Sequence, residues 1–254
     1  MSFESYFDGL RAILDRIERE QAGNIRHAGS LVAATLVSGG IIHTFGSGHS
    51  HLIADEAFFR AGGIVAVNPI LDERLIFLEG ALESTRAERE IGLASRLIER
   101  ENVQPEDAAI IISNSGRNAA PVEMAREMKA RGVNVIAITN LRQSREATPR
   151  HSSGQRLFEL AEVTIDNCAP VGDALVSLSG LDSRIGATST VAGATIINSI
   201  MIVAVTELIS RGKRVPILPS ANLEGVTEEM LRQMLRPYRK RIRYFDFDPK
   251  EVGG

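Results

Sequence analysis

The sequence alternates between short apolar runs rich in β-branched residues and segments with helical periodicity. The runs are almost continuously apolar, which is typical of strands covered on both faces of a sheet. They lie at residues 41–45, 63–67, 108–112, 133–139 and 162–166, with helices predicted between them at about 50–60, 84–101 and 120–130. This alternation predicts an α/β fold with a doubly wound parallel sheet.

Additional helices are predicted at both ends of this core. An apolar stripe at helical spacing predicts one long helix over residues 3–37. The last third is predicted to hold a helix at about 188–210, a proline-containing loop at 212–225 and an amphipathic helix from 227 to about 243. No segment marks a boundary, so we expect a single domain over residues 1–254, with its core at about 35–210 and a C-terminal loop and helix at 211–245.

Composition argues against several classes of protein. The net charge is −3, so no overall positive field recruits nucleic acid or a membrane surface. The single cysteine, Cys168, cannot form an internal disulfide, and the N-terminus lacks the pattern of a secretory signal, so we expect a cytoplasmic protein. The apolar run at 191–209 contains Asn198 and Glu207, which would be costly inside a bilayer, and it is predicted to be a buried core helix.

Two loops containing serine and glycine follow the first and third predicted strands. Their sequences are Gly46-Ser47-Gly48-His49-Ser50 and Ser113-Asn114-Ser115-Gly116-Arg117-Asn118. Ligands of doubly wound sheets bind beyond the carboxyl ends of the strands, where both loops are placed. Serine hydroxyls and the free amides of a following helix attract an anion, and phosphate is the obvious one. Each loop alone could also be a tight turn with capping serines.

Two common phosphate motifs are excluded. The 46–50 loop begins like a dinucleotide-binding fingerprint, but His51 stands where the last glycine belongs, and no acidic residue ends the second predicted strand. The chain has no Gly-Lys-Ser/Thr sequence in either loop, so neither is a P-loop.

The segment over residues 108–139 resembles the signature of the SIS (sugar isomerase) family, which is a strand, Ser-x-Ser-Gly-x-Thr, a helix and a strand ending in threonine. The 46–50 loop is similar to the family's first loop, and the resemblance covers about residues 35–210. It implies a five-stranded parallel sheet flanked by helices and a bound phosphosugar. It places Ser113 and Ser115 on the phosphate, with Ser47 and Ser50 beside them. Asn118 stands where the family usually has threonine.

An aldose-ketose isomerase needs a base that moves a proton between adjacent carbons, and groups that open the sugar ring. The helix after the 46–50 loop carries Glu56 and Arg60 four residues apart, so they share a face. The resemblance favours Glu56 as the base, with Arg60 polarising the substrate oxygens and His151 opening the ring. The alternative for Glu56 and Arg60 is an ordinary ion pair on the protein surface. The alternative for His151 is a solvent-exposed loop histidine without a catalytic role.

Other charged groups suggest weaker possibilities. A zinc site made by His49, His51, Asp55 and Glu56 does not match a defined ligand spacing, so no metal and no other cofactor is expected. The basic residues of the last helix favour a solvated face or a subunit contact over nucleic acid. The apolar stripes of the first helix and of residues 191–209 exceed what a monomer needs, so a homodimer or higher homo-oligomer is predicted.

The sequence therefore predicts a phosphosugar isomerase that transfers a proton on a sugar or aminosugar phosphate. A lyase or etherase on the same scaffold is an alternative, because a fold does not fix its chemistry. The other alternative is a non-catalytic phosphosugar sensor. Direct binding of such a sensor to DNA is not expected, because the leading 40 residues hold no predicted helix-turn-helix.

Overall fold

The computed structural model describes residues 3–245, and its centre is a five-stranded sheet in which all strands are parallel. The strands are β1 Ile42–Gly46, β2 Val67–Ile70, β3 Ala108–Ile112, β4 Asn134–Thr139 and β5 Val163–Asp166. Their order across the sheet is β2-β1-β3-β4-β5. The predicted doubly wound parallel sheet is therefore confirmed.

Helices follow most of the strands and also lie at both ends of the described chain. They are α1 Phe3–Glu20, α2 Ala22–Val37, α3 His51–Glu56, α4 Ala81–Ala87, α5 Leu93–Ile98, α6 Ala119–Ala130, α7 Leu141–Glu146, α8 Ser189–Ser210 and α9 Glu228–Leu235. An antiparallel pair, β6 Ala174–Val176 and β7 Ile185–Ala187, precedes α8.

Helices cover both faces of the sheet, so the core has two halves. Successive residues of β3 point to opposite faces: Ile110 and Ile112 join the half formed with α1, α2, α3 and α8, whereas Ala109 and Ile111 join the half formed with α4, α5 and α6. The helix after β1 and the helix after β3 consequently lie on opposite faces. The carboxyl ends of β1 and β3 form the switch point of the sheet, where a crevice for a ligand is expected.

The predicted N-terminal helix over residues 3–37 is wrong in one respect, because it is two helices that meet at Gln21. The Gln21 backbone leaves helical geometry, with φ −107° and ψ 1°. Its side chain is buried, and its Oε1 accepts hydrogen bonds from the Asp166 amide at 3.2 Å and from Asn24 Nδ2 at 3.0 Å. The break lets a polar side chain reach the end of β5.

The second strand is displaced from its predicted position at residues 63–67. The strand in the sheet is Val67–Ile70, and the earlier apolar residues pair with the C-terminal loop instead. The Val65 amide donates to the Pro216 carbonyl at 3.1 Å, and the Leu218 amide donates to the Gly63 carbonyl at 2.9 Å. The apolar run is buried as predicted, but its partner comes from a distant part of the sequence.

Several helices are shorter than predicted. The helix expected at 50–60 ends at Glu56, and the helix expected at 84–101 is divided between α4 and α5, with Gly92 at φ +85° before α5. The final helix stops at Leu235 because Pro237 lies in the following 3₁₀ turn, Arg236–Tyr238. The segment between β4 and His151 includes a short helix, α7.

Helix α8 buries one side along α2 and α3. Its buried residues are Ala192, Gly193, Ile196, Ile197, Ile200, Met201, Ala204 and Leu208. Gly29 of α2 has no room for a Cβ because Val203 of α8 lies against it, so the two helices pack closely. By length and composition alone α8 could cross a membrane. In the structure one side of α8 packs in the core and the other side is exposed.

Candidate functional site

The two serine-containing loops lie side by side at the carboxyl edge of the sheet. β1 and β3 are neighbours in parallel register, and Gly46 pairs with Ile112, the residue before Ser113. The 46–50 loop and the 113–118 loop therefore leave the sheet at the same height, at the switch point. An anion between them would be within reach of both.

The 46–50 loop is held in place by contacts with residues 75–88, which lie before α5. Ser47 is buried, and its Oγ donates a hydrogen bond to Glu88 Oε1 at 2.9 Å. The Gly48 amide donates to the Leu75 carbonyl at 2.9 Å. The ring of His49 lies 5.0 Å from the ring of Phe77. Within residues 3–245 the Ser50 hydroxyl has no hydrogen-bond partner, so it is available to a ligand.

The 113–118 loop turns at Gly116, which has φ +59°. Its amide donates to Ser113 Oγ at 3.2 Å, and its carbonyl accepts from the Leu157 amide at 2.8 Å. A Cβ at this position would lie 2.6 Å from Ser144 Oγ. Both the backbone conformation and the close approach require glycine here.

Hydrogen bonds to Asn114 attach the same loop to neighbouring segments. The Asn114 carbonyl accepts from the Asn140 amide at 3.1 Å and from Thr139 Oγ1 at 3.3 Å. Its Oδ1 accepts from Asn167 Nδ2 at 2.8 Å. In the described part of the chain, the hydroxyl of Ser115 forms no hydrogen bond. The loop is thus held at Asn114 and Gly116, while the serine between them stays free.

Arg117 and Arg150 lie at the start of α6. An Nη atom of Arg150 donates to Asn118 Oδ1 at 2.8 Å, and the Arg150 amide donates to the Arg117 carbonyl at 3.0 Å. Partial burial, followed by the neighbouring charges of Arg117 and Arg89, lowers the pKa of the Arg150 guanidinium, and Glu88 opposes this effect. The Arg117 Nε atom is buried and has no hydrogen-bond partner. Such a cluster of like charges attracts an anion.

Glu88 lies between the two loops. Its side chain accepts the hydrogen bond from Ser47, and its carbonyl accepts from the Ala120 amide in the first turn of α6 at 3.0 Å. Its carboxylate contacts the 46–50 loop directly, and its charge opposes the lowering of the pKa of the Arg150 guanidinium. This position suits a group that handles a proton beside a bound anion.

The predicted base, Glu56, lies elsewhere. Glu56 forms an ion pair with Arg60, and its Oε1 accepts from Asn198 Nδ2 of α8 at 3.1 Å. Within residues 3–245 neither Glu56 nor Arg60 forms a hydrogen bond or an ion pair with the 46–50 or the 113–118 loop. The predicted pair therefore exists, but it faces α8. Its catalytic role stays a prediction.

His151 lies against α6 and is mostly buried, with 10% of its side chain exposed. Its Nδ1 accepts from the Ser153 amide at 3.1 Å, which leaves the ring proton on Nε2, 3.6 Å from Glu123 Oε1. Its neighbour Arg150 is the residue that reaches the 113–118 loop. The role of His151 in ring opening also stays a prediction.

The predicted phosphate ligands are brought together more closely than the predicted catalytic residues. Ser47, Ser50, Ser113, Ser115 and Asn118 all lie on the two adjacent loops. Ser113 and Asn118 are already engaged in holding the loop and Arg150. Within residues 3–245 no group of three or more His, Cys, Asp or Glu side chains is arranged to hold a metal ion.

Sequence reasoning missed Glu88 and Arg89. They lie within Arg86-Ala87-Glu88-Arg89-Glu90, where charged residues alternate as on any solvated helix. Nothing in that pattern distinguishes Glu88, which accepts a hydrogen bond from Ser47, from the charged residues beside it. Arg117 and Arg150 carried a weak signal, because one lies inside the serine-glycine loop and the other beside a predicted site histidine.

Comparison with known proteins relates the chain to the SIS domain and to UPF0309 proteins. The sequence model described as SIS domain matches residues 5–140. The chain is 37% identical to a UPF0309 protein of Geobacillus thermodenitrificans over 239 residues, covering 94% of this chain and 96% of the relative. It is 36% identical to a UPF0309 protein of Halalkalibacterium halodurans over 248 residues, covering 98% and 99%.

Two solved structures of phosphoheptose isomerases resemble the fold. The protein from Neisseria gonorrhoeae has a TM-score of 0.50 at 15% identity, covering 79% of this chain and 94% of its own. The protein from Francisella tularensis has a TM-score of 0.52 at 15% identity, covering 80% and 95%. At this identity the likeness shows a shared fold.

Proposed function

Because the chain belongs to the SIS domain family, as the resemblance of its two loops predicts, we propose that it binds a phosphorylated sugar at the carboxyl edge of the sheet and isomerises it. One observation carries this proposal. The 113–118 loop contains Arg117 and is bound by Arg150 through Asn118, at the switch point where a ligand is expected. This edge of the sheet thus combines positive charge with free hydrogen-bond donors.

The phosphate group would lie over the 113–118 loop. Within residues 3–245 the amides of Ser115, Arg117 and Asn118 donate no hydrogen bond, and they precede the first turn of α6. Free amides at a helix N-terminus and the Ser115 hydroxyl are donors that suit a phosphate dianion. The guanidinium of Arg150 and the unpartnered Nε of Arg117 would neutralise its charge.

The sugar would extend from the phosphate towards the 46–50 loop, where Glu88 is the candidate base. Its carboxylate would take a proton from the carbon next to the carbonyl and return it to the former carbonyl carbon, while the hydroxyl proton moves between the two oxygens. Arg89 would stabilise the negative charge that develops on those oxygens. Ser47 would orient the carboxylate through its hydrogen bond.

Glu56 with Arg60 remains the alternative base, and His151 remains the candidate for ring opening. A role for Glu56 would require that the substrate, or a second copy of the chain, reach the α8 side of α3. A sensor that binds a phosphosugar without turnover needs the same phosphate loop but no base. Replacement of the carboxylate separates an enzyme from a sensor, because only an enzyme loses an activity.

A homodimer in the cytoplasm is part of the same proposal. The exposed side of α8 carries Val191, Ile202 and Ile209, which are 39%, 66% and 67% exposed. Positions 191, 195, 198, 202, 205 and 209 follow each other at alternating spacings of four and three residues, which is the spacing of a helix-helix seam. A second copy of α8 would cover this side and place Asn198, with its partner Glu56, near the interface.

A thermal-shift screen of the full chain tests the binding proposal. Sugar phosphates, the same sugars without phosphate, and inorganic phosphate are compared at equal concentrations. A ligand that binds the folded state raises the melting temperature. We expect at least one sugar phosphate to raise it well above the effect of inorganic phosphate, and the free sugars to have no effect. A screen in which no sugar phosphate exceeds inorganic phosphate would contradict the proposal.

A further inference from the structure

A buried carboxylate lies on α6, the helix that follows the 113–118 loop. The Glu123 side chain is 7% exposed, and its Oε1 accepts a hydrogen bond from the Gly92 amide at 2.6 Å. Its Oε2 is buried and has no hydrogen-bond partner within residues 3–245. Both oxygens of Glu127, one turn further along α6, are engaged, by Ser95 and by Arg131. Glu123 thus carries a desolvation cost that its neighbour on the helix avoids.

His151 lies against this carboxylate. Its side chain is 10% exposed, although the three residues after it, 152–154, are exposed. Its Nδ1 accepts from the Ser153 amide at 3.1 Å, so Nε2 carries the ring proton and can donate. Nε2 lies 3.6 Å from Glu123 Oε1, and shortening by about 0.5 Å would make this contact a hydrogen bond.

His151 belongs to a segment, residues 147–156, that also carries Arg150. An Nη atom of Arg150 donates to Asn118 Oδ1 at 2.8 Å, and the Arg150 amide donates to the Arg117 carbonyl at 3.0 Å. The 147–156 segment contains no helix or strand, so its position depends on contacts of this kind. The contact between His151 and Glu123 therefore ties down the segment one residue away from Arg150.

Glu123 also contacts the segment that supplies the candidate base. Gly92, whose amide donates to Glu123, lies four residues after Glu88 and immediately before α5. The Glu88 carbonyl accepts from the Ala120 amide in the first turn of α6 at 3.0 Å. One carboxylate of α6 thus meets both of the segments that carry Arg150 and Glu88.

We infer that Glu123 is a positioning residue, which holds Arg150 at the 113–118 loop by accepting a hydrogen bond from His151. The inference rests on the proposed function, and Glu123 itself makes no contact with the substrate. Its carboxylate restricts the 147–156 segment, so the guanidinium of Arg150 is already in place when a phosphate binds. Fixing a group before binding raises the affinity, because less conformational freedom is lost on binding.

Calorimetric titration of the full chain with the sugar phosphate that the thermal-shift screen selects tests this inference. We expect Glu123→Ala to lower the affinity about tenfold. Glu123→Gln should lower it less, because it keeps an oxygen that can accept from His151. Glu127→Ala is the matched control, since Glu127 also joins α6 to α5 but has no contact with the 147–156 segment among the hydrogen bonds and ion pairs of residues 3–245. We expect the control to bind as the wild type does.

A double-mutant cycle with Arg150→Gln separates positioning from a general loss of stability. If Glu123 acts through Arg150, Glu123→Ala should weaken binding about tenfold in the wild-type background and hardly at all in the Arg150→Gln background. If Glu123→Ala does not fold, His151→Ala replaces it, because that variant keeps the contact between Glu123 and Gly92.

Hydrogen exchange of the ligand-free chain gives a readout that needs no sugar phosphate. We expect the amides of residues 147–157 to exchange about fivefold faster or more in Glu123→Ala, while those of β4 keep the wild-type rate. A wild type that binds no sugar phosphate would contradict the proposed function. The exchange result would still show whether Glu123 holds the segment, so the two failures are distinguishable.

Three results would overturn the inference. The first is that Glu123→Ala binds the sugar phosphate as tightly as Glu127→Ala does. The second is an equal loss of affinity in the wild-type and Arg150→Gln backgrounds, which indicates an effect that does not pass through Arg150. The third is exchange that is unchanged over residues 147–157, or that rises equally in β4, which indicates a general loss of stability.

Discussion

The Ser47 hydroxyl donates to the Glu88 carboxylate at 2.9 Å, and this contact joins two segments 41 residues apart in the sequence. Ser47 belongs to the loop after β1, whereas Glu88 follows α4 and also accepts from the first turn of α6. The contact therefore places a carboxylate between the two loops that are proposed to hold a phosphosugar. It identifies Glu88 as the group whose replacement is most informative.

We expect Glu88→Gln to reduce turnover of the selected sugar phosphate about 100-fold or more, because a positioned base contributes on that scale, while binding persists. Turnover is measured with the sugar phosphate that the thermal-shift screen selects. Glu56→Gln is the matched variant, and we expect it to retain most activity. The reverse result, with Glu56→Gln inactive and Glu88→Gln active, would return the role to the residue predicted from the sequence. A wild type that binds without turnover would indicate a sensor.

Gly116→Ala should destabilise the protein and weaken phosphosugar binding. Alanine at φ +59° costs about 1–3 kcal/mol, and its Cβ would lie 2.6 Å from Ser144 Oγ. The control is Gly154→Ala, which has φ +71° but open space around the added atom. Urea unfolding measures both, and the loss should be larger for Gly116→Ala. Equal losses would mean that close packing of the 113–118 loop is unimportant.

Arg150→Gln should raise the dissociation constant for the sugar phosphate about tenfold, because a charge-assisted contact to phosphate is lost. The control is Arg142→Gln, since Arg142 is 79% exposed and pairs with Glu146 at 3.6 Å. Calorimetric titration compares the two variants with the wild type. Arg150 would not contact the phosphate if both variants bound as tightly as the wild type.

Ile202→Glu should convert the proposed dimer into a monomer, because a charge would be buried at the centre of the α8 seam. Light scattering after size-exclusion chromatography gives the molar mass directly, and the chain mass is 27.6 kDa. Leu82→Glu is the control, since Leu82 is 72% exposed on α4, on the other face of the sheet. A dimeric Ile202→Glu variant, or a monomeric wild type, would contradict the proposed interface.

The buried Asp107 should make stability depend on pH. Burial alone would raise the pKa of Asp107, but hydrogen bonds from His43 and from the amides of Gln104 and Ile41 outweigh it and hold that pKa below its ordinary value. Arg241 also contacts the carboxylate. A group with a lowered pKa in the folded state stabilises the fold above its unfolded pKa, and this contribution is lost as the pH falls through the folded pKa.

Asp107→Asn isolates that contribution. At pH 7 we expect it to lower the free energy of unfolding by about 3 kcal/mol, because a buried charged pair loses one partner. The difference from the wild type should be full above about pH 5 and shrink as the pH falls to about 4 and below. Urea unfolding at several pH values measures it. A difference that stays constant down to acid pH would show that ionisation of Asp107 is not the cause.

The sequence was most informative where the determinants of structure are local. The bounds predicted for β3, α6 and β4 agree with the structure to within one residue, because strand, glycine-containing turn, helix and strand follow each other without interruption. A parallel sheet also predicts that the 46–50 and 113–118 loops lie at the same edge. That they are neighbours depends on the strand order β2-β1-β3-β4-β5, which the sequence did not predict.

Features that depend on distant partners could not be predicted in this way. The apolar run at 63–67 pairs in part with residues 216–218, so its position relative to the sheet is set far along the chain. The break at Gln21 depends on an amide of β5. Glu88 and Arg150 reach the site by the folding of segments whose local sequence is ordinary for a charged surface.

Recognition of a phosphate by the 113–118 loop is the central requirement of the proposed function. Calorimetric titration tests it most directly, by comparing one sugar phosphate with its unphosphorylated sugar on the wild type and on Ser115→Ala. We predict that the wild type prefers the phosphorylated form about 100-fold or more, and that most of this preference is lost in the variant. Equal affinity for both sugars, or a preference that Ser115→Ala leaves intact, would contradict the account.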